Sequence, residues 1–149
     1  MFASSTERVP LHTDDEVNRR IARKIDRSIE YFAAHPSEIP ARLAALDAEW
    51  DIERILEANA STLILFGLAL GTAVNRRWLA LPVGVAAFLL QHALQGWCPP
   101  LPILRRLGFR TMHEIDKERT ALQVLRDYLG GHAAAPGREA LRNIDGRIR

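Results

Sequence analysis

Residues 58–104 read ANASTLILFGLALGTAVNRRWLALPVGVAAFLLQHALQGWCPPLPIL, and their missing charges decide the fold. From Ala58 to Asn75 there are 18 residues without an Asp, Glu, Lys or Arg. Arg76 and Arg77 interrupt, and 27 more uncharged residues run from Trp78 to Leu104, with Pro99, Pro100 and Pro102 ending any helix near Trp97. Two apolar helices joined by about three residues follow, because a bilayer core takes about 20 apolar residues as a helix. The 19 steps from Trp78 to Trp97 make about 28 Å at 1.5 Å per residue, close to a hydrocarbon thickness of ~30 Å. Trp78 and Trp97 then mark the two interfaces, and Arg76, Arg77, Arg105 and Arg106 are further interfacial anchors. The alternative is a soluble helical interaction domain with the hairpin as its core. A soluble bundle helix normally shows water one polar face, and neither stretch has one.

Composition bounds the rest. The chain has 149 residues, 20 Lys+Arg and 18 Asp+Glu, so its balance gives no argument for nucleic acid. The mean hydropathy of −0.09 hides a segregation of apolar from charged residues. A single Cys excludes an internal disulfide or a cysteine-built zinc site. Residues 1–57 hold 12 acidic and 8 basic groups and no opening apolar run, unlike a signal or transit peptide. Arg54, Arg105, Arg106, Arg110, Lys117 and Arg119 flank the spans on the terminal side, against Arg76 and Arg77 in the loop. The positive-inside rule then sets both termini in the cytoplasm.

The expected organisation is all-α: a transmembrane helical hairpin with cytoplasmic amphipathic helices before and after it. Residues 1–12 read as a flexible tail. Residues 13–57 read as a helical region running into the first span. Thr13 with Glu16 has the form of a capping box, and Val17, Ile21, Ile25, Ile29 and Phe32 form an apolar stripe. His35-Pro36 breaks this helix, and Ile39, Leu43, Leu46 and Trp50 continue a stripe with no obvious breaker before Ala58. Residues 58–97 are the hairpin and 98–110 a Pro-rich interfacial segment. Residues 111–130 are an amphipathic helix opened by Thr111 and Glu114 and stopped by Gly130-Gly131; 131–149 are a second tail. Residues 1–57 carry net −4 and 105–149 net +4, so the two flanks attract each other.

Several residues are candidates for chemistry or packing. Gly67 and Gly71 form a GxxxG pattern, and Ala80 and Gly84 a small-xxx-small pattern, for hairpin packing or a homodimer. A fold near Arg76 sets Gly67 level with Gly84, and Asn59 and Ser61 level with Gln91, His92 and Gln95, a polar intramembrane cluster. His92 is the ionisable residue within the spans and hence a functional candidate. Hydrogen bonding across the hairpin is its structural reading. A haem would need a second axial ligand, which only a dimer supplies. Cys98, at the hairpin mouth, is either a small interfacial residue or a thiol that accepts sulfane sulfur or an oxidant. Walker, dinucleotide-glycine, HExxH and nucleophile-elbow motifs are absent, and no catalytic residue, metal or cofactor is expected.

The stretch "EWDIERILEANAS" and the later "FLLQHALQGWCPPLPILRRLGFRT" resemble a bacterial two-span inner-membrane family. That family is typified by the transmembrane domain of the YgaP-type inner-membrane rhodanese. The resemblance rests on Glu53-Arg54, Gly96-x-Cys98-Pro99, Leu104-Arg105-Arg106-Leu107-Gly108 and the trailing "EIDKERTALQVLR". It implies a multi-pass protein of the inner membrane and a homodimer, with a membrane-protein or sulfurtransferase partner. Sulfurtransferase activity in that family belongs to a separate catalytic domain that this chain lacks. The expected function is a non-catalytic membrane hairpin that self-associates or serves as an accessory subunit.

Overall fold

In the computed structural model, residues 6–145 are described, with side chains through Gly130. The described residues form helices and no strand: α1 (Arg8–Leu11), α2 (Asp15–Ala34), α3 (Ile39–Ala48), α4 (Ile52–Ala73), α5 (Ala80–Gln95), α6 (Leu101–Leu107) and α7 (Met112–Asp145). Short 3-10 turns at Pro36–Glu38 and Arg76–Leu79 precede α3 and α5. The chain divides into two compact units. One takes the described residues up to Arg23 together with Trp50–Ile115; the other takes Lys24–Glu49 and the described residues from Asp116.

The first unit contains the hairpin. Asn75 accepts the Arg77 backbone N–H at 2.9 Å and so caps the turn between α4 and α5. Gly67 and Gly71 of α4 lie against the start of α5 and the 3-10 turn before it. A Cβ on Gly67 would stand 2.5 Å from Pro82 Cδ, and one on Gly71 would collide with Leu79. Glycine here removes the atom that would hold the backbones apart. Gly67 thus faces Leu81 and Pro82 rather than Gly84, and a Cβ on Gly84 would meet nothing within 4 Å. The expected register is off by about three residues, because the chain reverses at Val74–Asn75 and the 3-10 turn already returns along α4.

Two helical stretches are long and apolar enough to cross a membrane: Pro36–Ala73, which includes α4, and Arg76–Gln95, which joins the second 3-10 turn to α5. Only 22% and 11% of their most apolar stretches are buried within the chain. Leu65, Phe66, Val83, Leu90 and Leu94 are all exposed.

Below the hairpin, a small core joins Val9, Ile52, Leu56, Cys98 and Leu101. The expected loose tail at 1–12 is therefore corrected for its described part, while residues 1–5 lie outside the described residues. α1 exists because Val9 is 1% exposed and Arg8 Nη1 donates to the Ala93 carbonyl at 2.9 Å. That carbonyl lies in the last turn of α5, where intrahelical donors run out. Gly96 ends α5 at φ 79°, and a Cβ there would stand 2.6 Å from the Arg8 carbonyl oxygen.

Two further expectations about helix ends change. The start of α2 is capped by Asp14, whose side chain accepts the Glu16 N–H at 2.8 Å. Thr13 instead donates to the Val9 carbonyl at 2.8 Å and closes the turn from α1. The expected continuous helix into the first span breaks between Ala48 and Ile52, where Glu49 is extended (ψ 131°). Asp51 then accepts the Arg54 N–H at 2.7 Å and opens α4 as a new helix.

The second unit packs part of α2 with α3 and α7. Ile25, Ile39, Leu43, Leu46 and Leu122 are its buried apolar residues, so the predicted α2 stripe does turn inward at Ile25. Glu118, 0% exposed, accepts from Arg42 Nε at 2.8 Å and from Ser28 Oγ at 2.6 Å. Arg119 pairs with Asp47 at 3.0 Å and with Asp116. α7 continues through Gly130-Gly131 to Asp145. Glycine costs a helix about 1 kcal/mol relative to alanine but keeps its N–H, so it permits a stop without imposing one. Residues 146–149 lie outside the described residues.

Candidate functional site

Away from the Gly67 crossing, the same two helices leave a cavity of about 500 Å³. α4 lines it with Leu56, Asn59, Ala60 and Leu63, and α5 with Val85, Phe88, Leu89 and His92. Each set follows the i, i+3, i+4, i+7 spacing of a single helical face. Cys98, Pro99, Pro100 and Leu104 close one end. The prolines fix the backbone there, and Leu101 and Leu104 hold α6 against the core. The side chains are apolar except for Asn59, Thr62, His92 and the Cys98 thiol. Thr62 Oγ1 already donates to the Ala58 carbonyl at 2.8 Å.

His92 is 5% exposed, and neither of its ring nitrogens has a hydrogen-bond partner. Leaving a buried polar group unpaired costs about 1–3 kcal/mol. The expected polar cluster does not assemble: Asn59 and His92 border the same cavity, but no hydrogen bond joins His92 to Asn59, Ser61, Gln91 or Gln95. The register shift explains this. His92 sits level with Leu56, about three residues below Asn59, and Ser61 is exposed.

Cys98 is 5% exposed and free. Burial pushes its thiol above the usual value of 9.0, only partly offset by the Leu101 N–H. A reactive cysteine needs a depressed pKa, so the wall position holds the sulfur in its thiol form.

Arg105 departs most from expectation. Its Arg-rich surroundings place it at the interface, yet it is 0% exposed. Its five N–H groups each find an acceptor. Nε donates to Thr13 Oγ1 at 3.2 Å, and Nη1 to the Phe109 carbonyl at 3.1 Å. Nη1 and Nη2 donate to the two Glu114 oxygens at 2.7 and 2.8 Å. Nη2 also donates to Asn18 Oδ1 at 2.9 Å. Burial alone would raise the Glu114 pKa, but Arg105 and the Thr111 N–H together hold it below 4.5. The Thr111–Glu114 capping box forms reciprocally, at 2.8 and 3.2 Å. No sequence signal short of the whole fold joins Thr13 and Asn18 to Arg105.

The other residues expected at the interfaces are less buried. Arg76, Arg77 and Arg106 are exposed, and Trp78 is 46% exposed. Trp97 is half-buried. Ile103, Leu107 and Phe109 are exposed beside Arg106, so α6 and the residues after it show an amphipathic surface. Among the described residues no group of three or more His, Cys, Asp or Glu could hold a metal ion. No protein-family model, no curated protein and no solved structure matches this chain.

Proposed function

We propose that this chain is a two-span protein of the bacterial inner membrane, non-catalytic, acting by self-association or as an accessory subunit. One observation carries the reading: two successive stretches of spanning length, Pro36–Ala73 and Arg76–Gln95, leave most of their apolar windows uncovered. A core helix of a soluble protein is covered by its own fold, whereas a membrane helix turns such side chains to lipid. Trp78, which follows Arg76 and Arg77, and Trp97 at the other end of the second stretch support the two interfaces. The exposed Ile103, Leu107 and Phe109 support a segment at headgroup level. The terminal-side excess of Lys and Arg supports cytoplasmic termini, although Arg105 is neutralised by Glu114.

Self-association uses the outer face of α5. Gly67 and Gly71 pack within the hairpin, while Gly84, half-buried one turn from Ala80, has open space where a Cβ would stand. The resemblance to the rhodanese-linked two-span family is consistent with this reading and with a partner that supplies the chemistry.

Expression in a bacterial host followed by alkaline carbonate extraction tests it. The protein should stay in the membrane pellet and become monodisperse only after detergent is added. A monodisperse protein in plain buffer contradicts the reading.

A further inference from the structure

His92 is a buried imidazole without a partner. It is 5% exposed, both ring nitrogens are unpartnered, and it lies in the wall of a cavity large enough for a small organic molecule. Buried polar side chains in native proteins are nearly always hydrogen-bonded. Pockets that bind small molecules are mostly apolar with a few placed polar groups, at about 300–1,000 Å³. We propose that the cavity between α4 and α5 binds an uncharged lipophile that presents a carbonyl oxygen to an N–H of His92.

The chemistry of the walls selects this class. Leu56, Ala60, Val85, Phe88 and Leu89 offer carbon only. Among the described residues no charged side chain lines the cavity, so a charged ligand would be desolvated without a counter-ion. A neutral imidazole offers one donor and one acceptor, which suits a carbonyl or a hydroxyl. A metal or haem iron fits less well. A ligating histidine is normally oriented by a hydrogen bond from its other ring nitrogen, and His92 has none. The exposed Leu63 and Phe88 in the cavity wall give a lipophile an apolar approach. This route of entry rests on the membrane reading, but the site itself does not.

Two sources share the chemistry: the ring carbonyl of a membrane quinone and the ester carbonyl of an acylglycerol lipid. The full chain, purified in mild detergent with 15N-labelled histidine, separates them. Decylubiquinone, dioctanoylglycerol and carbonyl-free decylbenzene are titrated in turn while the His92 ring resonances are followed. A saturable shift with decylubiquinone, with dioctanoylglycerol or with both, and not with decylbenzene, is the expected result, and the arm that responds names the source. His92→Phe should weaken binding of the responding compound about tenfold, the loss of one hydrogen bond. Ala60→Phe should abolish binding by filling the cavity, independently of whether the His92 variant folds. Absence of a saturable shift with either carbonyl compound overturns the proposal. So does an equal shift with decylbenzene, or unchanged affinity in folded His92→Phe. The membrane reading fails separately, on solubility without detergent.

Discussion

Arg105 and Glu114, nine residues apart, form a two-pronged ion pair at 2.7 and 2.8 Å with the guanidinium wholly buried. The pair ties α6 to the first turn of α7, and Asn18 of α2 and Thr13 of the turn before it bond to the same guanidinium.

Removing one partner leaves the other charge buried and alone, which costs about 3–5 kcal/mol. Arg105→Met should therefore unfold this part of the chain at much lower temperature, read by circular dichroism in detergent. Arg105→Lys should recover little of the loss, because an ammonium cannot serve five acceptors in a planar fork.

The same pair sets a pH dependence. The Glu114 pKa is lowered on folding, so the unfolded chain binds the proton more tightly. The stabilisation is fully present above the unfolded value of 4.5 and is lost as pH falls through the lower folded value. Melting temperature should be flat in this contribution from pH 7 to about 5 and fall below that. Glu114→Gln should be less stable at neutral pH and lose less on acidification. Parallel acid sensitivity in both proteins would contradict the assignment.

The glycines of the hairpin should respond unequally. Gly67→Ala forces a Cβ to within 2.5 Å of Pro82 Cδ and should cost about 1–3 kcal/mol through overpacking. Gly84→Ala meets open space and should be neutral or stabilising by up to about 1 kcal/mol from helix propensity. Thermal melts of the two variants, compared with wild type at a detergent ratio that keeps the chain monomeric, check the contrast.

Gly96 carries two constraints at once, a φ of 79° and the Arg8 carbonyl against its α-carbon. Gly96→Ala should destabilise by about 1–3 kcal/mol and release α1 first. Faster amide exchange at Val9 and Leu11 than in the rest of the chain would record that order. Uniform change across the chain would contradict it.

Much of this architecture was legible in the residues, and the part that was not has a common cause. The absence of charge from Ala58 to Asn75 and from Trp78 onward marks α4 and α5 as long apolar helices. Thr111 and Glu114 announce α7 because a capping box is local. The break before α4 was also legible in Asp51 followed by Glu53, an N-cap with an acid in the first turn, but the continuing apolar stripe masked it. Arg105 looked interfacial because its flanking sequence is Arg-rich. Its acceptors Thr13 and Asn18 lie 92 and 87 residues away, and no short pattern records such a contact. The cavity was hidden for a related reason. A three-residue error in register set Asn59 and Ser61 opposite His92, and an apparent polar cluster concealed an unpartnered imidazole.

The central claim, that lipid surrounds α4 and α5, is tested most directly by spin labels placed singly at Leu65, Val83 and Leu90, which are 68%, 69% and 61% exposed. In vesicles containing the full chain, all three labels should be accessible to dissolved oxygen and shielded from a water-soluble nickel chelate. Access to the nickel reagent, or shielding from both, would contradict the account.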